Sequence, residues 1–204
     1  MARKPDAGAR DRILDVASQL FAEHGVHAVG LQQIIDACGC GKNLLYREFG
    51  SKDDLVVAFL ERCRADWASV LRAAEASADS DPGGLLVALV REVVARAVAD
   101  GFRGCPLRNA YAEFPDPDHP AHQVIVAHYT DRAELLRTLA AQASARDPKD
   151  LASRIELLID GLNANGAVLG PQGAAPAAVT WAEEAVRGAT QGRSDVIAGQ
   201  VPTP

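Results

Sequence analysis

The chain has 204 residues and a formal net charge of −6 at pH 7, and only 5% of its residues are aromatic. This acidic balance excludes a general polycation that binds nucleic acid over its whole surface. The acidic excess is uneven, because residues 1–64 carry nine Lys/Arg and nine Asp/Glu, so the deficit lies in the remainder. A locally basic front and an acidic back suggest two separate functions.

Export signals and membrane spans are not evident in the sequence. The chain opens MARKPDAGARDR, which has no apolar core, and its longest aliphatic run, residues 85–90, is far too short to cross a bilayer. We therefore expect a cytoplasmic protein that does not engage a membrane. Its four cysteines are expected to be reduced thiols.

The first 60 residues predict four helices. Apolar residues recur on one helical face from Ile13 to Phe21, and Gly25 follows as a terminator. A short second helix begins near Leu31 and ends at Gly39. A third helix is marked by Leu45 and Phe49 at i, i+4, and Ser51-Lys-Asp-Asp has the form of a capping box that opens a long fourth helix.

The remainder also predicts helices. Residues 85–98 are apolar on nearly every face, as in a buried central helix. Residues 102–120 contain four prolines and are expected to be irregular. Further helices are predicted at about 121–145, along a stripe from Leu151 to Leu162, and from Pro176 to about Thr190. The expected fold class is all-α with roughly nine helices. The expected domains are 1–52, an N-terminal arm and three-helix DNA-binding unit; 53–190, an effector-binding and dimerisation unit; and 191–204, a frayed tail.

The second and third helices have the helix-turn-helix pattern, in which the second helix of the pair lies in the major groove. Because Leu45 and Phe49 face the core, the polar residues between them face outward. Lysine and arginine bind phosphate or guanine, asparagine can read adenine, and a tyrosine hydroxyl can bind phosphate. The arm residues Arg3, Lys4, Arg10 and Arg12 are expected to add backbone contacts. The candidate DNA-binding residues are Gln32, Gly41, Lys42, Asn43, Leu44, Tyr46, Arg47 and Lys52.

The stretch Cys38-Gly-Cys40-Gly-Lys42 has three interpretations: a thiolate pair, a phosphate loop, or a bend between helices. Asn43 stands where a phosphate loop needs Ser or Thr, and no second ligand pair lies nearby for a metal. The bend fits the helices on both sides. A thiol- or metal-responsive regulator that uses Cys38 and Cys40 stays open as an alternative function.

Residues 13–60 resemble the N-terminal DNA-binding domain of the TetR family of bacterial transcriptional regulators. The resemblance rests on Ala17, Leu20-Phe21, Gly25, Ile34, the Ala37-x-Gly39 turn, Lys42, Leu45-Tyr46, Phe49 and Ser51-Lys52. It implies a homodimer that binds double-stranded operator DNA and responds to a small-molecule effector through a variable C-terminal domain. It also implies that Lys42, Tyr46 and Lys52 contact DNA.

Four positions depart from the family pattern. Gly30 and Gly41 replace the usual threonine and serine at the starts of the second and third helices, Leu44 replaces a frequent phosphate-binding threonine, and Glu48 replaces a frequent histidine. We expect weaker helix ends and fewer backbone contacts.

The segment from Gly104 to Pro120 is similar to a segment of some family members, and it predicts one wall of a ligand pocket. For each candidate, ordinary packing is the competing interpretation. The candidate ligand-binding residues are Trp67, Phe102, Cys105, Arg108, Asn109, Tyr111, Phe114, His128 and Tyr129.

The acids and histidines at positions 116–128 lack a compact metal-ligand spacing, so no metal site and no cofactor are predicted. The last two helices carry apolar stripes and small residues that permit close approach of a second copy or packing within the chain. The resemblance favours the dimer. The candidate interface residues are Leu151, Ile155, Leu158, Leu162, Trp181 and Ala185.

The leading prediction is a ligand-responsive DNA-binding repressor, released from its operator by a small, largely apolar molecule. An enzyme is disfavoured, because the sequence contains no nucleophile elbow, zinc-protease motif, complete dinucleotide fingerprint or P-loop.

Overall fold

A computed structural model describes residues 8–78 and 81–191. Within these residues the chain forms nine α-helices and one short 3₁₀ turn, Gly170–Gln172, and it forms no strand. The predicted all-α class is confirmed. The helices are α1 Ala9–His24, α2 Leu31–Cys38, α3 Lys42–Glu48, α4 Lys52–Ser77, α5 Pro82–Ala97, α6 Pro106–Tyr111, α7 Pro120–Gln142, α8 Pro148–Leu169 and α9 Ala175–Thr190.

Several helix ends lie where the sequence predicts them. Gly25 and Gly39 follow α1 and α2 with φ of 83° and 62°, a left-handed backbone that glycine adopts without steric cost. The Ser51 side chain accepts a hydrogen bond from the backbone N–H of Asp54 at 3.0 Å and caps α4. The predicted irregular segment at 102–120 differs from the structure, because it contains α6. Pro106 begins this helix, at a position where the missing N–H of proline is tolerated.

The buried residues form two hydrophobic cores. We call α1–α3 the head and α4–α9 the body. One core lies under the head and includes Phe21, Ile34 and Leu45, whereas the other lies between α4, α5, α7, α8 and α9 in the body. α4 contributes to both cores, with Leu60 in the first and Val70 in the second.

The core of the head extends beyond the predicted domain boundary at residue 52. Its buried residues include Leu107 of α6, Phe114, and Ile125 of α7, so the body packs directly against the head. The predicted arm and tail fall largely outside the described residues: Arg3, Lys4 and positions 192–204 are not covered. Among the helices that are described, none has the length and apolar character needed to cross a bilayer.

Candidate DNA-binding surface and effector cavity

The orientation of α3 is fixed by apolar residues that point into the head. Ile34 and Leu45 are fully buried and Phe49 is 2% exposed, so α2 and α3 share one packed side. The opposite side of α3 faces solvent. This is the arrangement that a helix-turn-helix requires for the second helix to enter a major groove.

The outward side of α3 carries the predicted polar residues. Lys42, Asn43 and Arg47 are exposed, and the Tyr46 side chain is 43% exposed. The Lys42 ammonium lies 5.9 Å from the centre of the Tyr46 ring. Both groups therefore face the same region of solvent, where a phosphate can be bound.

Other predicted DNA-binding residues are engaged or partly covered. Arg47 pairs with Glu48 at 2.8 Å, and the exposed Gln32 amide donates to Asp36 at 2.8 Å. Leu44 and Lys52 are half-buried. The Arg47–Glu48 pair contributes little to stability because it is exposed, so Arg47 can exchange Glu48 for a phosphate.

The helix starts at Gly30 and Gly41 have no side-chain cap, as expected from glycine. The start of α2 is stabilised instead by the Gln33 side chain, because its oxygen accepts a hydrogen bond from the Gly30 N–H at 2.7 Å. Gly41 is exposed and has no equivalent contact among the described residues. The start of α3 is therefore held mainly by packing of Leu45.

Arg10 of α1 supports the end of α3. Its guanidinium donates to the Glu48 carbonyl at 2.6 Å and lies 4.2 Å from the centre of the Phe49 ring. This contact occupies Arg10 within the protein, whereas the sequence suggests a DNA-backbone contact for it.

Cys38 and Cys40 are joined by a disulfide, with their Cα atoms 5.3 Å apart. The sequence analysis expects four reduced thiols, so the structure differs at this pair. The left-handed conformation of Gly39 turns the chain so that the two flanking residues meet. Cys63 and Cys105 are free.

A partly open cavity of about 460 Å³ lies in the body, between α4, α5, α7 and the segment that leads into α6. Four predicted ligand-binding residues line it together: Trp67, Phe102, Cys105 and His128. Apolar residues form much of the wall and the chemistry is concentrated in few polar groups, which is typical of a small-molecule site. The remaining lining residues include Cys63, Asp66, Val70, Val93, Arg96, Asp100, Leu107, Arg132 and Asn163.

Arg132 is one of the cavity residues that sequence reasoning missed. It is only 2% exposed, and its Nη2 atom donates to Asp160 at 2.8 Å and to Glu156 at 3.3 Å. The guanidinium lies 4.5 Å from the centre of the Tyr129 ring and 5.9 Å from that of Trp67. Two carboxylates and two aromatic rings thus hold the cation in place.

Burial also shifts the pKa values of nearby groups. Desolvation, with the positive charges of Arg132 and Arg64, lowers the pKa of His128 to about 4, so its imidazole is neutral at pH 7. Desolvation raises the pKa of the Cys63 thiol to about 12 and raises that of Cys105 as well. These thiols are therefore protonated and weakly nucleophilic.

The other predicted ligand-binding residues do not line this cavity. Asn109 borders an adjacent cleft of about 790 Å³ between head and body, and it donates to the Arg103 carbonyl at 2.9 Å. Arg108 and Tyr111 are exposed, and Phe114 is buried in the core under the head. Tyr129 lies behind Arg132 and contacts its guanidinium.

The acid and histidine group at 116–128 is divided among structural contacts. The His119 ring accepts a hydrogen bond from the Ala121 N–H at 3.1 Å and lies 3.6 Å from Asp53, and the His122 ring bonds to the Phe114 carbonyl at 2.8 Å. Within the part of the chain that the structure describes, no three His, Cys, Asp or Glu side chains are grouped for a metal.

Glu113 links the body to the head. Its two carboxylate oxygens accept hydrogen bonds from the backbone N–H groups of Val26 at 3.0 Å and His27 at 2.6 Å, in the turn after α1. A Cβ atom at Gly25 would lie 3.2 Å from the Glu113 carboxylate, so glycine leaves room for this approach. Glu113 follows α6 directly, and the start of α6 lines the cavity.

Of the candidate interface residues, Trp181 is exposed as expected, whereas the predicted stripe of α8 faces the interior of the chain. Leu151, Ile155 and Leu162 are buried within the chain, and Leu158 and Ala185 are half-buried. α8 packs against α5, α7 and α9, which covers this stripe. The exposed apolar residues of α8 and α9 are Leu157, Val168, Leu169 and Trp181, each at least half exposed.

Comparison with known proteins identifies the family to which this chain belongs. Residues 13–59 match the family model of bacterial regulatory proteins of the TetR family. Over most of its length, the structure is similar to the crystal structure of SCO4454, a TetR-family transcriptional regulator from Streptomyces coelicolor. The TM-score is 0.84 at 31% identity, with 90% of this chain and 96% of that chain covered. The chain belongs to the TetR family.

The curated relatives match only part of this chain. The transcriptional activator FasR of Mycolicibacterium smegmatis is 40% identical over 60 residues, which are 29% of this chain and 27% of FasR. The transcriptional repressor Rv3405c of Mycobacterium tuberculosis is 35% identical over 106 residues, 51% of this chain and 52% of the repressor. The matched stretches thus span between about a quarter and half of these relatives. The chain is a TetR-family transcriptional regulator rather than an enzyme.

Proposed function

We propose that this regulator is a repressor that leaves its operator when a small, largely apolar molecule enters the body cavity. The observation that carries the proposal is the continuity of one segment. Cys105, Pro106 and Leu107 line the cavity, and Glu113, a few residues later, binds the turn between α1 and α2. The repressor assignment is supported by the similarity to Rv3405c, which extends well past the head.

In the proposed mechanism, the ligand acts through its differential affinity for two arrangements of head and body. A molecule in the cavity displaces the start of α6, and Glu113 transmits the movement to the turn before α2. Two heads that match half-sites about 34 Å apart then lose their register on DNA.

Dimerisation through α8 and α9 is part of the proposal. Leu157, Gly161, Ala164 and Val168 recur at i, i+4, i+7 and i+11 on the exposed face of α8, and Trp181 adds an exposed ring on α9. Contiguous exposed apolar groups mark interaction sites, and a self-complementary face suits a two-fold dimer. We expect a Leu157→Glu/Val168→Glu double variant to sediment as a monomer, and the matched Val126→Glu variant on α7 to stay dimeric. A dimeric double variant would contradict this interface.

The test of the function uses the full chain and DNA from its own promoter region. Fluorescence anisotropy should show specific binding that weakens steeply with salt, because lysine and arginine displace counterions from phosphates. A random duplex of equal length is the control. Equal affinity for both duplexes would overturn the proposal.

A second candidate function is favoured by the Cys38–Cys40 disulfide, which lies directly before α3. Disulfides in a reducing compartment are commonly regulatory. In this candidate, oxidised glutathione takes two electrons and two protons from the thiols, and the closed pair fixes the turn that aims Lys42. The test is operator affinity in reduced and oxidised glutathione. Equal affinity in both, or a Cys38→Ser/Cys40→Ser variant that retains the redox response, would exclude it.

A further inference from the structure

The helix α3, which is the second helix of the helix-turn-helix, is short. It has seven residues, and Gly41 gives its start no side-chain cap. A helix of this length is marginal in water without tertiary contacts, because nucleation is costly and few hydrogen bonds follow. Leu45 holds its middle in the core of the head. The direction of the helix therefore also depends on the contacts at its other end.

Arg10 holds that end from α1. Its Nη1 atom donates to the Glu48 carbonyl at 2.6 Å, and its guanidinium carbon lies 4.2 Å from the centre of the Phe49 ring. The last carbonyls of a helix have no intrahelical partner and carry partial negative charge, so a cation is favourable there. Phe49 is buried in the core of the head, so the ring under the guanidinium is itself held in place.

The place of Arg10 within its own helix supports this interpretation. Arg10 is the second residue of α1, where a cation is unfavourable to the dipole of that helix. The same charge is favourable at the end of α3. An arginine at this position therefore stabilises α3 rather than α1.

Glu48 connects Arg10 to the outward face of α3. Its backbone carbonyl accepts from Arg10, and its side-chain Oε1 atom accepts from Nε of Arg47 at 3.1 Å and from Nη2 at 2.8 Å. The Arg47 side chain is 60% exposed, whereas that of Glu48 is 23% exposed. A displacement of the last turn of α3 would therefore move Arg47 together with Glu48.

Arg10 could serve DNA binding in two ways, and these make opposite predictions. A phosphate contact adds to the salt dependence of DNA binding, because it releases counterions. A residue that positions α3 acts on the base contacts, which carry the sequence preference, and leaves the salt dependence unchanged.

We propose that Arg10 is a positioning residue for sequence-specific DNA binding. It holds the Glu48 end of α3 and thereby sets where Arg47 and the outward face of the helix lie in the groove, without touching DNA itself. The inference goes beyond the proposed function. It is independent of the effector and of the repressor assignment, because it concerns the ligand-free head.

The test compares two duplexes of equal length, one selected from a random library with the wild-type protein and one of random sequence. Fluorescence anisotropy at several salt concentrations gives the affinity and the salt slope for each. Arg10→Gln should bind the selected duplex at least about fivefold more weakly, because base contacts are misplaced, and the random duplex within about twofold of the wild type. Its salt slopes should stay within about half a counterion of the wild type.

Two variants control for the loss of charge. Lys42→Ala removes one positive charge from the outward face of α3 and should lower the salt slope by about one counterion. Arg62→Gln removes a guanidinium of α4 that bonds to Asp15 of α1, and it should keep the preference for the selected duplex. A salt slope lowered by about one in Arg10→Gln, or an unchanged preference in that variant, overturns the inference.

Hydrogen exchange without DNA locates the effect. The Phe49 N–H donates to the Leu45 carbonyl in the last turn of α3, and the Gly25 N–H donates to the Phe21 carbonyl at the end of α1. In Arg10→Gln, exchange at Phe49 should accelerate at least about fivefold while exchange at Gly25 stays unchanged. Unchanged exchange at Phe49 overturns the inference. Equal acceleration at both amides also overturns it, because that result describes a loss of overall stability. So does a library that yields no preferred duplex.

Discussion

The head and the body place their charged groups in opposite ways. In the head, Lys42 and Arg47 lie on an exposed helix face and are available to a partner. In the body, Arg132 is buried and is held by Glu156 and Asp160 from a neighbouring helix. The exposed set suits salt-sensitive binding of a polyanion. The same chemical groups are thus accessible to solvent in the head and shielded from it in the body.

Among the variants that distinguish the head from the body, substitution of Arg132 is expected to have the largest effect on the free energy of unfolding. Arg132→Met leaves Glu156 and Asp160 without their cation, and breaking a buried pair in this way costs about 3 to 5 kcal/mol. Urea unfolding should report this loss. Arg137→Met, which breaks an exposed pair with Glu134, is the control and should leave the free energy of unfolding almost unchanged, because water screens exposed pairs. Similar losses in both variants would mean that burial does not distinguish Arg132.

The buried histidine gives the body a dependence on pH. The folded-state pKa of His128, about 4, lies below its ordinary value of 6.5. Between these values the unfolded chain binds a proton that the folded chain does not, so stability is complete above pH 6.5 and falls as the pH drops. Between pH 7.5 and pH 5 the wild type should lose about 2 kcal/mol more than His128→Phe.

Unfolding in urea at both pH values measures this difference. His24→Gln, which changes an exposed histidine, should keep the pH dependence of the wild type. If His128→Phe loses as much stability as the wild type, the histidine does not carry the effect.

A substitution at Glu113 tests whether the head and the body are coupled. Glu113→Gln replaces a carboxylate that accepts from two amides with a neutral amide that has one acceptor oxygen, so about 1 to 2 kcal/mol of stability should be lost. Hydrogen exchange should accelerate at the amides of Val26 and His27. Glu134→Gln is the matched surface control. Unchanged exchange at those two amides would show that the contact does not hold the turn.

The smallest expected effect lies in the head. Lys42→Ala should weaken operator binding by roughly fivefold and reduce the salt dependence by about one counterion, because one phosphate contact is lost. Lys149→Ala, an exposed lysine of the body, should leave the affinity unchanged. Anisotropy titrations at several salt concentrations measure both. An unaltered salt slope in Lys42→Ala would remove this lysine from the interface.

The fold of the head could be predicted from sequence because its signals are local. Gly25 and Gly39 mark helix ends through backbone conformation, and Leu45 with Phe49 fixes the inward side of α3. These are properties of a few adjacent residues, which periodicity and turn chemistry capture.

The contacts of the body are harder to predict from sequence, because they join residues that lie far apart in the chain. In the sequence, Arg132 resembles an ordinary surface charge, because its partners Glu156 and Asp160 lie on a different helix, α8. Two faces of α8 are apolar in the sequence. One carries Leu151 and Ile155 and is buried, and the other carries Leu157 and Val168 and is exposed. Sequence alone does not tell which of them faces the core. The short α6 is missed because six residues between prolines carry too little periodicity.

The continuity of α4 has a mechanical consequence. This helix is unbroken over 26 residues and is anchored in both cores. At a rise of about 1.5 Å per residue it is a rod about 39 Å long. A tilt of roughly 5° at its body end therefore moves its head end by about 3 Å, close to the axial length of one DNA base pair. Under the proposed mechanism, a small change in the shape of the cavity is therefore enough to move the head by about one base pair along DNA.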